Sequence, residues 1–380
     1  MRRLTILCAG VMGMALASLA GGTPAFAGTF VYVSNAEDGD ISTFTLKPDG
    51  ELQAGDRVKA ASVVMPMAVS PDRRFLYAAS RSKPFSVHVY AIDPATGGLK
   101  PLATSPLAES FPYISLDRTG RFLFGASYAG ALVSVNAVGA DGRVAADASQ
   151  VIPVGRNAHS ILVDATNKFV YVPTLGTDQI FQFTFDAATG RLTSNTPAVA
   201  QLKTGVGPRH FVISRDNKFV YVLSELLATV TTLSLDPRAG ALTEVSSTAG
   251  LPPDSKLNAG APRGAPNAPP RNLDNDVWAA DIHMTPDEKL MYISERTTGS
   301  LSGFRVDGAT GKLTYVGNTT TEKQPRGFAI DPKGKFLVAS GEKSPTISVY
   351  AIDPASGALR MLKQYPVGKG ANWVEIVSFD

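Results

Sequence analysis

Cysteine is almost absent from this chain of 380 residues, which contains only Cys8. Cys8 lies in an apolar N-terminal stretch, so a chain that loses this stretch has no thiol for a disulfide bond or for thiolate catalysis. Histidine is also scarce, and its four copies show no local ligand spacing such as His-x-x-x-His. We therefore expect no metal ion and no cofactor.

The chain also lacks a strong excess of positive or negative charge. The chain has 36 Lys and Arg residues against 33 Asp and Glu residues. Two of the basic residues, Arg2 and Arg3, belong to the N-terminal stretch. The remainder is nearly neutral, which argues against a broad basic surface and against nucleic acid as a partner. After Leu19 no apolar run approaches the length of a membrane span, so we expect no membrane association of the mature chain.

The N-terminal stretch itself has the form of an export signal. Arg2 and Arg3 are followed by an apolar segment, and Ala25-Phe26-Ala27 is a small-x-small cleavage site. A membrane anchor is the rival interpretation, but the segment is short and rich in Gly. We predict that residues 1–27 are a signal peptide cleaved after Ala27 and that the mature protein is periplasmic or secreted.

A recurring sequence motif dominates the rest of the chain. It consists of a polar turn, a basic residue, and then a short run of β-branched and aromatic residues. The runs begin at Phe30, Phe75, Phe122, Phe169, Phe219, Leu290 and Phe336. Their spacing of about 45 to 50 residues, with one interval of about 71, is typical of β-propellers. Each unit predicts four strands, A to D, and the recurring run is strand B.

The first unit lacks a strand A, whereas the chain ends on an unpaired strand, Trp373 to Ser378. Docking this strand inside the N-terminal blade would close the ring and remove its exposed edges. We therefore predict an all-β fold, a seven-bladed β-propeller, as a single domain over residues 28–380. An inserted loop over residues 249–276, rich in Pro, Gly and Asn, is expected before blade 6.

Alignment of the units separates the repeated scaffold from positions that vary. In a propeller the start of strand A and the end of strand B share one face beside the central channel. The aligned residues at the start of strand A are Met65, Pro112, His159, Arg209, Ala280, Arg326 and Trp373. Those at the end of strand B, from blade 2 onward, are Arg81, Tyr128, Leu175, Glu225, Arg296 and Glu342. These slots predict a functional group of charged residues at one mouth.

Two sets of candidates follow from the alignment. The catalytic set is His159, Arg209, Glu225 and Arg296. The substrate-binding set is His210, Asp281, His283 and Arg326. A structural ion-pair network closing the channel is the alternative, and Arg81 and Glu342 are expected to be solvated or ion-paired at the surface. Because the catalytic set lies at strand ends outside the blade cores, its replacement by Ala is expected to leave the fold intact.

Several local motifs carry a family resemblance. They are Gly207-Pro208-Arg209-His210, Tyr221 to Glu225, Asp281-Ile282-His283 and Gln324 to Asp331. Together they resemble the seven-bladed lactonase family, which includes propeller-type 6-phosphogluconolactonases and fungal carboxymuconate cyclases. The resemblance covers about residues 30–380.

The resemblance also implies a site. In the cyclase branch the site uses a His, an Arg, a Glu and a second Arg, which fall on His159, Arg209, Glu225 and Arg296. The chain departs from the family at Asn157, where a His is frequent, and at Asp281, where the family has Glu. The export signal is a third departure, because phosphorylated sugar lactones of central metabolism are cytosolic.

The function expected from these residues is hydrolysis of a sugar-type lactone or a related anionic sugar substrate. His159 or Glu225 would activate water, and Arg209 and Arg296 would stabilise the oxyanion or hold an anionic group. The same groups could instead run a carboxymuconate-type cyclisation. A non-catalytic exported propeller that binds a ligand or a protein is the remaining alternative. No nucleophile-elbow motif supports a Ser-His-Asp mechanism.

Overall fold

The computed structural model describes Met1, residues 28–262, Asn272 and residues 274–379. The predicted signal peptide and its cleavage after Ala27 lie outside these residues, apart from Met1. The strands form seven four-stranded antiparallel sheets, and no helix occurs in the described residues. The predicted seven-bladed β-propeller is confirmed. Within the same residues, no helix is long and apolar enough to span a membrane.

The four strands of each blade are ordered A to D from the central channel outward. The A strands are β4 (Val64–Val69), β8 (Tyr113–Leu116), β12 (Leu162–Val163), β16 (Pro208–Ile213), β20 (Ala279–Met284), β24 (Pro325–Ile330) and β28 (Ala371–Ser378). The B strands are β1 (Thr29–Asn35), β5 (Phe75–Ser80), β9 (Phe122–Ser127), β13 (Phe169–Thr174), β17 (Phe219–Ser224), β21 (Leu290–Glu295) and β25 (Phe336–Gly341). The C strands are β2 (Asp40–Leu46), β6 (Ser86–Ile92), β10 (Leu132–Ala137), β14 (Gln179–Asp186), β18 (Thr229–Leu235), β22 (Ser300–Val306) and β26 (Thr346–Ile352). The D strands are β3 (Leu52–Lys59), β7 (Leu99–Pro106), β11 (Gln150–Pro153), β15 (Arg191–Gln201), β19 (Leu242–Ala249), β23 (Leu313–Thr320) and β27 (Leu359–Pro366).

The burial of the strands explains why the B runs dominate the sequence pattern. Every residue of β5, β9, β13, β17 and β21 is buried, because both faces of a B strand pack against neighbouring blades. The outer strand β3 is exposed along most of its length. The apolar core therefore lies between adjacent blades, and burial of this area is the main favourable term in folding.

One contact between blades accounts for the repeated Phe-x-Tyr and for the Gly of the C–D turn. The hydroxyl of Tyr32 donates to the carbonyl oxygen of Gly97 at 2.9 Å. Gly97 has a φ of +70°, and a Cβ there would lie 2.3 Å from the Phe30 ring, so only Gly fits. The same Tyr–Gly bond recurs in three other blades, between Tyr77 and Gly142, Tyr171 and Gly240, and Tyr292 and Gly357. The repeated residues are scaffold.

Closure of the ring occurs as predicted, since β28 pairs antiparallel with β1. The register, however, corrects the alignment of the tail by one residue. Val31 lies opposite Ile376, whereas the equivalent Leu76 of blade 2 lies opposite Val69. The tail lacks the polar turn that anchors the other copies, so only strand pairing determines its alignment. As a result Trp373 aligns with Tyr113 and His210, one position further along strand A than the sequence alignment placed it.

The segment between β19 and β20, within which the inserted loop was predicted, packs beside the mouth of the channel. The backbone N–H of Gly260 donates to the carbonyl oxygen of Leu226, just after β17, at 2.8 Å. Asn258 and Asp276 form an isolated parallel bridge. Leu257 packs against the core between blades 5 and 6. The described ends of this segment therefore cover the face on which the A strands begin.

Candidate active site

A cavity of about 300 Å³ opens where the A strands begin and the B strands end. Its wall consists of residues from six blades, namely Met65, Arg81, Pro112, Tyr128, His159, Arg209, Glu225, Trp278, Arg296, Arg326 and Glu342. The structure thus brings together all four residues of the predicted catalytic set. It also brings Arg326 to the same wall. Four arginines against two glutamates give this mouth an excess of positive charge, which favours an anionic ligand.

Glu225 lies between two arginines at the centre of the wall. Its Oε2 atom is 2.8 Å from Arg209 Nε and 3.2 Å from Arg296 Nη2. The three side chains are at most 5% exposed. One carboxylate oxygen thus contacts both guanidiniums, so Glu225 orients Arg209 and Arg296 relative to each other.

Backbone carbonyl groups of blade 6 hold the two arginines from the other side. Arg296 donates from Nε to the Trp278 oxygen and from Nη2 to the Ala279 oxygen, both at 3.0 Å. Its guanidinium also lies over the Trp278 ring, 3.8 Å from the centroid. Arg209 donates from Nη1 to the carbonyl oxygen of Ala280. The positions of both guanidiniums are thus determined before any ligand binds, as electrostatic stabilisation of a transition state requires.

Burial and neighbouring positive charge both lower the pKa values of Arg209 and His159. Burial and the charge of Arg326 lower the pKa of Arg209 to about 10, so Arg209 remains protonated at neutral pH. The pKa of His159 lies well below its usual value because the ring is buried and Arg209 is near. His159 is therefore neutral at pH 7 and able to accept a proton.

His159 is 5% exposed, and its ring contacts two other aromatic rings. Its centroid lies 5.6 Å from that of Tyr128 and 5.1 Å from that of His210. The Nδ1 atom is buried without a hydrogen-bond partner among the described residues. An orphaned imidazole nitrogen is unusual in a folded protein and points to a role beyond packing.

Arg326 is the second group with an orphaned atom on the cavity wall. Its side chain is 4% exposed, and Nε lies 3.7 Å from Glu342 Oε1. Its Nη1 atom is buried and has no partner in the part of the chain that the structure describes. Burial lowers the pKa of Arg326. The free N–H is a donor available to a ligand in the cavity.

Arg81 and Glu342 were expected to be solvated or ion-paired at the surface, and Glu342 does pair with Arg326. Both line the cavity, because the ends of all B strands converge on the channel regardless of which blade they come from. Arg81 donates from Nε to Ser110 Oγ at 3.1 Å. Trp278 was missed altogether. It lies two residues before Ala280, at a position that the alignment of the strand ends did not include, and its counterparts in blades 4 and 5 are Asn157 and Gly207.

The other three predicted substrate-binding residues lie together but not on the cavity wall. Asp281 bridges two histidines, with Oδ1 2.8 Å from His210 Nδ1 and Oδ2 3.1 Å from His283 Nε2. A β-bulge in β16 and in β20 turns successive residues toward the channel. Arg209 therefore faces the cavity, whereas His210 lies beneath it. Among the predicted substrate-binding residues, only Arg326 is placed to touch a ligand in the cavity.

Aromatic rings separate the cavity from the rest of the channel. Tyr113 lies 5.0 Å from His210 and 5.4 Å from Trp373 between ring centroids. Trp373 donates from Nε1 to Glu375 Oε1 at 2.8 Å, and burial raises the pKa of Glu375 to about 7. No cluster of three or more His, Cys, Asp or Glu side chains suited to a metal ion occurs in the described part of the chain.

Comparison with known proteins identifies the family. Residues 25–376 match the family described as "Lactonase, 7-bladed beta-propeller". The chain belongs to the seven-bladed β-propeller lactonase family, and it is a lactonase. It is 39% identical to the 6-phosphogluconolactonase of Serratia proteamaculans over 92% of this chain and 98% of that protein. The 6-phosphogluconolactonase of Pectobacterium carotovorum is 37% identical, with 92% and 99% covered.

A solved structure extends the similarity to an exported protein. The periplasmic gluconolactonase of Pseudomonas aeruginosa superposes with a TM-score of 0.81 and 25% identity. The match covers 93% of this chain and 99% of that one. The predicted resemblance to propeller lactonases is therefore confirmed. The substrate and the residues that act on it are separate questions.

Proposed function

We propose that this lactonase hydrolyses a sugar-type lactone in the arginine-rich cavity, with His159, Arg209, Glu225 and Arg296 as its catalytic group. The observation that carries the proposal is the cavity wall itself. It holds a buried neutral imidazole beside two guanidiniums that one carboxylate orients. Ester hydrolysis needs a base and preorganised positive charge for the oxyanion.

The reaction assigns a role to each group. His159 accepts a proton from water as the water oxygen attacks the lactone carbonyl. Arg209 and Arg296 stabilise the negative charge that develops on the carbonyl oxygen, and Glu225 holds both guanidiniums in place. The ring C–O bond then breaks, and the leaving alkoxide takes the proton that His159 accepted, so that His159 is neutral again. The product is a hydroxy acid, which ionises at neutral pH and releases one proton.

The excess of arginine suggests that the substrate carries an anionic group. Arg326 has a buried N–H without a partner among the described residues, and Arg81 lies on the same wall. A phosphate or carboxylate bound there would offset the charge that lowers the pKa of His159 and would make His159 a stronger base. The names of the relatives from Serratia and Pectobacterium favour a phosphorylated gluconolactone, whereas that of the Pseudomonas protein favours gluconolactone itself.

A panel of lactones tests the proposal. Purified mature protein is assayed on glucono-δ-lactone with and without a 6-phosphate, on γ-lactones and on a muconolactone, with spontaneous hydrolysis subtracted. We expect turnover of a gluconate-type lactone and a loss of about 100- to 10,000-fold in kcat for His159→Ala. Arg238→Ala, in an exposed C–D turn, is the matched control. Binding of a lactone without any turnover would favour the binding-platform alternative.

We also propose that the protein is exported and cleaved after Ala27. The first residue after the cut, Gly28, accepts a hydrogen bond from the Phe379 N–H at 2.9 Å, so the proposed cut spares the closing blade. N-terminal sequencing of protein recovered from the periplasm or the medium should begin at Gly28. Mature soluble protein that retains Met1 would contradict the proposal.

A further inference from the structure

A buried carboxylate outside the cavity wall holds the backbone segment that supports the two arginines. Glu295 is the last residue of β21 and is 1% exposed. Its Oε1 atom accepts a hydrogen bond from the backbone N–H of Trp278 at 2.7 Å. Its Oε2 atom accepts from the backbone N–H of Thr298 at 2.6 Å and from the hydroxyl of Thr298 at 2.7 Å. The carboxylate therefore ties the start of strand A to the turn that follows strand B.

The segment that Glu295 ties down is the one that holds the guanidiniums. Three successive carbonyl groups at the start of β20 accept hydrogen bonds from arginine side chains. The oxygens of Trp278 and Ala279 accept from Arg296, both at 3.0 Å. The oxygen of Ala280 accepts from Arg209. The β-bulge in β20 disrupts the regular ladder at this point, which leaves these oxygens to the arginines.

Comparison with the other blades shows that this carboxylate replaces a small hydroxyl residue. The last residue of strand B is Ser or Thr in blades 2 to 5, namely Ser80, Ser127, Thr174 and Ser224. The hydroxyl of Ser224 donates to the carbonyl oxygen of Val206 and accepts from the N–H of Leu227. Glu295 joins the equivalent two segments in blade 6. Its oxygens can only accept, so it bonds to the N–H of Trp278 instead of to a carbonyl group.

The backbone at Trp278 departs from the repeat at the same place. Its counterparts in four other blades accept the equivalent hydrogen bond from the residue after strand B. They have a left-handed φ of 56° to 60°, and they are Val63, Asn157, Gly207 and Gln324. Trp278 is not among the described residues with a positive φ. Because φ and ψ determine where the N–H and C=O groups point, the bond to Glu295 and the carbonyl oxygens offered to the arginines belong to one local conformation.

We propose that Glu295 is a positioning residue of this lactonase, which directs the guanidiniums of Arg209 and Arg296 through the backbone of residues 278–280. The inference rests on the proposed function, because it takes both arginines to stabilise the oxyanion. Glu225 supplies the other half of the support, since its Oε2 atom lies 2.8 Å from Arg209 Nε and 3.2 Å from Arg296 Nη2. One carboxylate thus orients the pair by direct contact, and the other does so through the backbone.

Glu295→Ser tests the proposal, because it introduces the residue type that blades 2, 3 and 5 carry at this position. The fold should be kept, since a hydroxyl there can bond to the neighbouring backbone as that of Ser224 does. We expect kcat on the best lactone to fall about 10- to 100-fold, because displacement of a catalytic group by about 1 Å can cost about 100-fold. KM should hardly change, as expected when an interaction made only in the transition state is weakened.

A double-mutant cycle shows whether the effect passes through the arginines. In an Arg296→Ala background, Glu295→Ser should lower kcat by a much smaller factor, because one of the two groups that it positions is already gone. A purely structural role would give the same factor in both backgrounds. Glu295→Gln is the conservative variant. Its single amide oxygen can still accept from one of the two segments, so kcat should fall less than for Glu295→Ser.

Glu322 offers a matched control in blade 7. It is also buried, at 3% exposed, and it lies outside the cavity wall. Its carboxylate accepts hydrogen bonds from Thr346, Ser348 and Gln364, which lie in the outer strands β26 and β27. Glu322→Gln should therefore lower the melting temperature, as Glu295→Gln does, but should leave kcat unchanged.

The outcomes distinguish this inference from the proposed function. Lactone turnover that neither Glu295 variant changes, or a loss of kcat that Glu322→Gln shares, would overturn the positioning role alone. If Glu295→Ser does not fold, kcat of Glu295→Gln relative to Glu322→Gln decides the question. Absence of lactone turnover in the wild-type protein would overturn the proposed function and the positioning role with it. A lower kcat at unchanged KM, confined to the Glu295 variants and reduced in the Arg296→Ala background, would support both.

Discussion

The two ends of the central channel are built from the same inner strands but carry opposite charge. The cavity end has Arg209, Arg296 and Arg326 on its wall. Asp281 and Glu375 lie beyond the aromatic layer, where they raise the pKa of His283. The repeated scaffold does not share this contrast, because the same Tyr–Gly bond joins neighbouring blades at four places in the ring. The proposed function depends on the few inner-strand positions at which the repeats differ.

The largest effect is expected at the arginine end. Arg209→Ala should lower kcat on the best lactone by about 100- to 1000-fold, because a preorganised donor to the oxyanion is lost. Glu225 would still pair with Arg296 at 3.2 Å, so the melting temperature should change less than for loss of the shared carboxylate. Steady-state kinetics and thermal melts measure both effects. A kcat within threefold of that of Arg238→Ala would remove Arg209 from the mechanism.

Glu225 should show that the cavity is structural as well as catalytic. Glu225→Ala leaves two buried guanidiniums without their carboxylate, which should lower the free energy of unfolding by about 3 to 5 kcal/mol. This prediction differs from the sequence-based expectation that the strand-end residues can be replaced without effect on the fold. Glu51→Ala is the control. Its side chain is 44% exposed and 3.0 Å from Lys47, which is exposed as well, so its loss should hardly change the free energy of unfolding.

At the acidic end, Glu375 should make the stability of the protein depend on pH. Glu375 has a pKa of about 7 in the folded protein against 4.5 ordinarily. Between these values the unfolded chain releases a proton that the folded protein retains, so stability falls as the pH rises and the loss is complete above about pH 7. Glu375→Gln should therefore stabilise the protein at pH 8 by about 1 to 3 kcal/mol. Urea unfolding at pH 5 and pH 8 measures the difference, and equal effects at both pH values would disprove the pKa shift.

The smallest effect is expected at the rim of the cavity. Arg81→Ala should raise KM for a phosphorylated lactone about tenfold, as expected when one charged hydrogen bond is lost, and should leave KM for the neutral lactone almost unchanged. Comparison of the two substrates is the internal control. An equal rise for both lactones would mean that Arg81 shapes the cavity rather than binding an anion.

Much of the architecture could be predicted from local patterns. The apolar B runs, the turn glycines and the unpaired C-terminal strand were sufficient to predict seven blades and their closure. The slots at the strand ends also located the cavity residues, since propeller topology brings equivalent ends to one mouth. The individual contacts of Arg81 and Glu342 could not be predicted, because their surroundings depend on residues from distant blades.

The chain sequence by itself determined the repeat, the ring closure and which slots break the pattern, because these depend on alternation and turn chemistry within each unit. Only the tertiary structure decided how far along the channel each inner-strand side chain lies. β-Bulges in the inner strands let Arg209 line the cavity while His210 lies beneath it, which strict alternation does not anticipate. Strand pairing placed Trp373 level with Tyr113. Side chains from different blades meet only once the ring has closed, so their distances and shared charges cannot be inferred from any single repeat.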